Sequence, residues 1–138
     1  MIMRIFSSPR FLWSVLLVYW ILLTNLLLAP RPWWYLGNFE SGVQQLVERS
    51  PADYIQHLLA FSLLAVLAWG ARASTRRPSV MPLLAGFGLY AILAELLQLW
   101  IPGRTFQWLD MACNLAGIAL GWSLSALLAR RYASVQPN

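Results

Sequence analysis

Long apolar runs dominate the chain, and each is closed by proline, glycine or arginine. The first covers about residues 11–29 and stops at Pro30-Arg31-Pro32. The second covers about 54–71 and ends against Arg72, and the third covers about 80–101 and is closed by Pro102-Gly103. The fourth covers about 106–129, ahead of Arg130-Arg131. At a rise of 1.5 Å per residue, each run is about long enough to cross a hydrocarbon core of roughly 30 Å. In lipid an unpaired run must satisfy its backbone hydrogen bonds internally, which a helix does. The pattern therefore predicts an all-α integral membrane bundle of four transmembrane helices, with residues 1–138 as a single domain. Arg4 and Arg10 ahead of the first run mimic a signal peptide. That run is too long for a signal peptide's apolar region, and no small-residue cleavage site follows before Pro30, so it reads as a retained helix.

The loop after the first run has a pattern of its own. Trp33, Trp34 and Tyr35 have the character of an interfacial aromatic belt, as do Trp100 and Trp108. Phe39, Val43, Leu46 and Val47 recur at helical spacing between Phe39 and Arg49. Two readings fit: a short helix lying on the membrane surface, or a loop anchored by its aromatics.

Composition reinforces the bilayer reading. Of 138 residues, 59% are hydrophobic and 11% charged, against about 25% charged in an ordinary soluble domain. The chain carries a net charge of +5, and its basic residues are all arginine. They punctuate apolar runs instead of lining one soluble element, which argues for membrane orientation and against a nucleic-acid partner. Arg4, Arg10, Arg72, Arg76, Arg77, Arg130 and Arg131 fall on the side of the termini and the second loop, whereas Arg31, Arg49 and Arg104 fall on the other. The excess predicts that both termini face the cytoplasm. Cys113 stands alone within an apolar run, so no intrachain disulfide forms, and it reads as a small packing residue.

Polar side chains in these helices are costly, about 2.5 to 3.5 kcal/mol each for charged ones, and so need a reason. Asp53 and His57 stand at i, i+4 where the second helix enters. Glu95 and Gln98 stand at i, i+3 near the end of the third, and Asp110 and Asn114 at i, i+4 near the start of the fourth. Each pair shares a helix face. With Thr24 and Asn25 on the first helix and Arg104 in the short loop above, they predict one polar layer in the outer leaflet. No chain of ionisable groups continues through the other half of the membrane, which argues against a pump or channel. Along the fourth helix, Cys113, Gly117, Gly121 and Ser125 form a small-residue ladder. It allows a second helix to approach closely, either within the bundle or from another copy of the chain.

In order and spacing these residues resemble the VanZ-like family. The resemblance rests on Asp53 with His57, then Glu95-Leu96-Leu97-Gln98, then Pro102-Gly103-Arg104, then Asp110, Asn114, Gly117 and Gly121. It covers about half of the chain. Tyr54 stands where the family often has lysine, and Gln107 where an acidic residue is frequent. The resemblance implies a bacterial inner-membrane protein, linked through the family's namesake to resistance against glycopeptide antibiotics such as teicoplanin. It implies no mechanism.

Three functions fit these residues. The leading one is recognition of the polar end of an outer-leaflet amphiphile, such as a membrane lipid, a lipid-linked envelope precursor or a lipophilic glycopeptide. Arg104 and Arg49 would meet a phosphate or carboxylate, while Gln98 and Asn114 would bond sugar or amide groups, beside Asp53, His57, Glu95 and Asp110. The second is an enzyme in which His57, oriented by Asp53, acts as base or nucleophile and Glu95 or Asp110 as acid. A variant of it places a divalent metal on Asp53, His57 and a third carboxylate, although one histidine among carboxylates is a weak metal signal, and no cofactor is expected. The third holds that the polar groups only join helices. Interhelical hydrogen bonds in membranes average about 0.6 kcal/mol, little beside the cost of burying three carboxylates.

Overall fold

Helix α1, Pro9–Leu28, begins where the Ser8 hydroxyl accepts a hydrogen bond from the Phe11 backbone N–H at 3.2 Å. Pro9 at its first position has no N–H to leave unsatisfied and a φ already suited to a helix. The structure, a computed structural model, describes residues 8–29, 51–75, 79–102 and 104–135. The aromatic residues 33–35, the expected surface helix between Phe39 and Arg49, and Arg49 itself lie outside the described residues.

Helix α2, Pro51–Ser74, carries Asp53 in its first turn and Arg72 in its last, each favourable to the helix dipole. The Arg72 guanidinium donates to the Ser79 carbonyl from Nε at 2.9 Å and from Nη2 at 2.5 Å, which ties the end of α2 to the start of α3. Helix α3 spans Met81–Leu97 and tightens into a 3-10 turn at Gln98–Trp100. The cause is local: Pro102 disfavours helical backbone in the residue before it, and Ile101 is extended at φ −99° and ψ 120°. Helix α4, Trp108–Val135, starts two residues later than the apolar run suggests and continues beyond it. Phe106, still outside the helix, packs edge-on against Trp108 with ring centroids 4.8 Å apart.

The fold is thus all-helical, with four helices long and apolar enough to span a membrane and no strand among the described residues. α2 lies at the centre: Phe61, Leu64, Ala65, Ala68 and Ala71 are fully buried. α4 packs parallel to it, the Gly117 position facing Leu58 and Phe61, and the Gly121 position facing Ser62 and Ala65. A Cβ at Gly117 would strike the Leu58 carbonyl oxygen and come within 3.1 Å of Phe61 Cβ; at Gly121 it would strike the Ser62 carbonyl oxygen. Only glycine permits that approach, so the ladder is used between two helices of the same chain. α1 adds Leu16, Leu23 and Leu27 to the core, and α3 adds Leu84, Phe87, Ala91 and Ala94.

The outward faces are apolar too. Leu17, Val18 and Leu22 on α1, Leu59 and Leu63 on α2, Leu89 and Leu93 on α3, and Leu120, Leu124 and Leu127 on α4 are exposed. In water this would be an aggregation surface, whereas in a bilayer it is the face presented to lipid.

Candidate functional site

The polar residues converge at the end of the bundle where α2 and α4 begin and α3 ends. Glu95 and Gln98 from α3, and Asp110 and Asn114 from α4, are each 0% exposed. His57, nearly two turns into α2, keeps 13% of its side-chain surface exposed and forms the edge of the cluster.

Asn114 sits at the centre. Its Nδ2 donates to Glu95 Oε1 at 3.3 Å, and its Oδ1 lies 2.9 Å from His57 Nδ1. An amide oxygen can only accept, so Nδ1 carries the hydrogen and donates. The other ring nitrogen, Nε2, faces Asp110 Oδ2 at 3.8 Å. Glu95, Asn114 and His57 therefore form one hydrogen-bonded chain across three helices, with Asp110 facing its end at 3.8 Å. Nε2 is the atom at which the imidazole can take up or release a proton without disturbing Asn114.

Sequence spacing pairs His57 with Asp53, but helical spacing reports only a shared face. Across the helix interface the ring meets Asn114 and Asp110 of α4. Asp53 stands half-buried in the first turn of α2, nearer the membrane surface than His57.

Arg104 also takes a place that spacing does not foretell. Its guanidinium donates from Nε to the Ala29 carbonyl and from Nη2 to the Leu26 carbonyl, each at 3.0 Å. These are carbonyls at the C-terminal end of α1, where the helix leaves acceptors unmet and its dipole is negative. Arg104 thereby straps α1 to the loop between α3 and α4. On α1, Asn25 is exposed and bonds back to the Ile21 carbonyl at 2.8 Å, so it does not enter the cluster. The Thr24 hydroxyl instead lies 2.9 Å from the Tyr90 hydroxyl, and the Tyr19 hydroxyl donates to the Ala60 carbonyl at 2.9 Å. The buried cluster is built by α2, α3 and α4.

Glu95 and Asp110 each leave one oxygen, Oε2 and Oδ1, without a hydrogen bond among the described residues, whereas Gln98 leaves both of its polar atoms so. Both its Nε2 and its Oε1 are buried, with no hydrogen-bond partner among the described residues. An amide buried without partners costs about 1–3 kcal/mol. The 3-10 turn forced by Pro102 holds this side chain at the top of the cluster, one helical turn beyond Glu95. Its donor group and its acceptor are thus unused among the described residues. No group of three or more His, Cys, Asp or Glu residues is arranged to hold a metal ion among the described residues.

A family model described as VanZ/LLP1 matches residues 10–129. No curated protein and no solved structure matches the chain.

Proposed function

This chain belongs to the VanZ/LLP1 family, and we propose that its polar layer binds the head group of a membrane amphiphile. The observation that carries this reading is Gln98, a fully buried amide with neither its donor nor its acceptor engaged. A residue kept only to join helices would have its hydrogen bonds made within the bundle. A head group bearing hydroxyl or amide functions complements Gln98 directly and reaches it past the exposed edge of His57. Asn114, Glu95 and Asp110 lie beneath as further polar partners. Arg104 holds the end of α1 to the loop that follows Gln98, and the apolar outer faces leave the ligand's hydrocarbon in lipid.

The arginine distribution supports a reading with this layer in the outer leaflet and both termini cytoplasmic, and the family match supports a bacterial inner membrane. Envelope lipids, lipid-linked wall precursors and lipophilic glycopeptides present head groups there. A role in glycopeptide resistance is one outcome of such binding.

Gln98→Leu separates binding from helix joining. If Gln98 serves a ligand, the substitution removes a buried amide that has no protein partner, so the unliganded protein gains about 1–2 kcal/mol. Native mass spectrometry of the unmodified protein should then show a lipid-like adduct that Gln98→Leu loses. If every adduct of the unmodified protein survives Gln98→Leu, or stability is clearly lost, the proposal fails.

A second reading is favoured by the fixed tautomer of His57, whose Nε2 faces Asp110. With Asn114 holding Nδ1, Nε2 is poised for proton transfer to or from a bound head group. His57→Gln distinguishes the two. Pure binding leaves the retained molecule's mass unaltered, whereas an enzyme would hold its unconverted substrate and show a different mass.

A further inference from the structure

At the end of the bundle away from the polar layer, α1 and α3 stand slightly apart. Above the gap, Trp20 meets Phe87 and Tyr90 edge-on, with centroids 6.1 and 5.7 Å away. Below that contact lies a groove of about 320 Å³, lined by Trp13, Leu17, Trp20, Gly86, Phe87 and Tyr90 among others. Its one hydroxyl, on Tyr90, is already bonded to Thr24. The groove opens sideways from two membrane-spanning helices, at hydrocarbon depth, and follows α1 for roughly 10 Å. Its surroundings are lipid chains, not water, and its walls are mostly apolar.

The charge at its mouth narrows the occupant. Arg10 precedes Trp13 by three residues, Leu17 by seven and Trp20 by ten, so it heads the same stripe of α1 that lines the groove. Its side chain is exposed at the first turn of the helix, where a guanidinium reaches the head-group region. We propose that the groove holds one acyl chain of an anionic phospholipid whose phosphate rests on Arg10. Trp20 and Phe87 grip the chain, and Gly86 makes the space: a Cβ there would meet nothing within 4 Å. The site is separate from the polar layer in position and in chemistry, since it selects for charge at the surface and hydrocarbon below.

The test is native mass spectrometry of the full chain released from nanodiscs holding equal amounts of dioleoyl phosphatidylglycerol and dioleoyl phosphatidylcholine. The unmodified protein should retain one phospholipid and favour phosphatidylglycerol by about fivefold, the effect of one arginine near an anionic head group. Arg10→Gln should keep the lipid but bring that preference close to unity. Gly86→Leu fills the groove without pressing on backbone and should abolish retention of both lipids. Leu17→Trp fills it from the opposite wall and is read in the same way should Gly86→Leu lose its helical signal. Ala85→Leu, exposed on α3 outside the groove, and Gln98→Leu should both leave retention unchanged. Retention that persists when the groove is filled overturns the site. Equal retention of the two phospholipids by the unmodified protein overturns the role of Arg10.

Discussion

Asn114 does work that neither of its titratable neighbours could do alone. Its amide offers a donor to Glu95 and an acceptor to His57, and so sets which ring nitrogen carries hydrogen. Asn114→Leu keeps much of the volume but takes a hydrogen-bond partner from the buried Glu95 and the partly buried His57. It should lower stability by about 1–3 kcal/mol for each group affected, read as a shift in the detergent unfolding midpoint. Gln98→Leu, a neighbouring polar-to-apolar change in the same layer, should move that midpoint the other way. The opposite signs follow from one difference: Asn114 bonds to protein, and Gln98 does not. Every member of the cluster could be named from sequence, because a glutamate, an aspartate or a glutamine in an apolar run is conspicuous. Their pairing could not be read in the same way. Spacing along a helix reports which residues share a face, and the partners of His57 come from the helix opposite. Arg104 shows the same limit in another form, since its acceptors are backbone carbonyls of α1, which no side-chain pattern reveals.

The glycines separate by the helix they face. Gly117 and Gly121 press their backbones onto carbonyls of α2, whereas Gly70 and Gly86 have nothing within 4 Å of an added Cβ. Gly117→Ala and Gly121→Ala should each destabilise by about 1–3 kcal/mol, because a methyl group there must push α4 off α2. Gly70→Ala and Gly86→Ala should be neutral or stabilising by up to about 1 kcal/mol through helix propensity. Parallel measurement of the four variants by thermal unfolding in one detergent checks the contrast, and equal effects in both pairs would contradict the packing described. The small-residue ladder on α4 was visible in the sequence, but it fitted a second copy of the chain as well as a second helix. The structure places α2 against it, the helix with the most fully buried apolar side chains. Helix extents followed the apolar runs closely, with their ends set by local chemistry. Pro102 tightens the end of α3, and the 3-10 turn it imposes is what presents Gln98 to the site.

Across the whole molecule, polar chemistry and apolar shape are segregated to opposite ends. The cluster of His57, Glu95, Gln98, Asp110 and Asn114 sits where α2 and α4 begin, and the Arg10 groove lies where α1 and α3 begin. Such segregation suits a protein that meets different lipids in the two leaflets, so the ligand each site can meet depends on which way the bundle faces. Counted along the sequence, seven arginines fall on the side of the termini and three on the other, which predicts that the groove end is cytoplasmic. A green fluorescent protein joined after Asn138 should therefore fluoresce in bacterial cells, and alkaline phosphatase at the same point should be inactive. Phosphatase inserted between Arg104 and Gln107, beside the polar layer, should be active. The reverse pattern would turn the polar layer toward the cytoplasm, where wall precursors are still being assembled and external glycopeptides do not reach. It would also put Arg10 in the outer leaflet, away from the anionic surface that favours arginine. Topology is thus the one measurement on which the chemistry proposed for both ends depends, and swapping Arg130 and Arg131 for neutral residues should weaken it in the direction the arginine count gives.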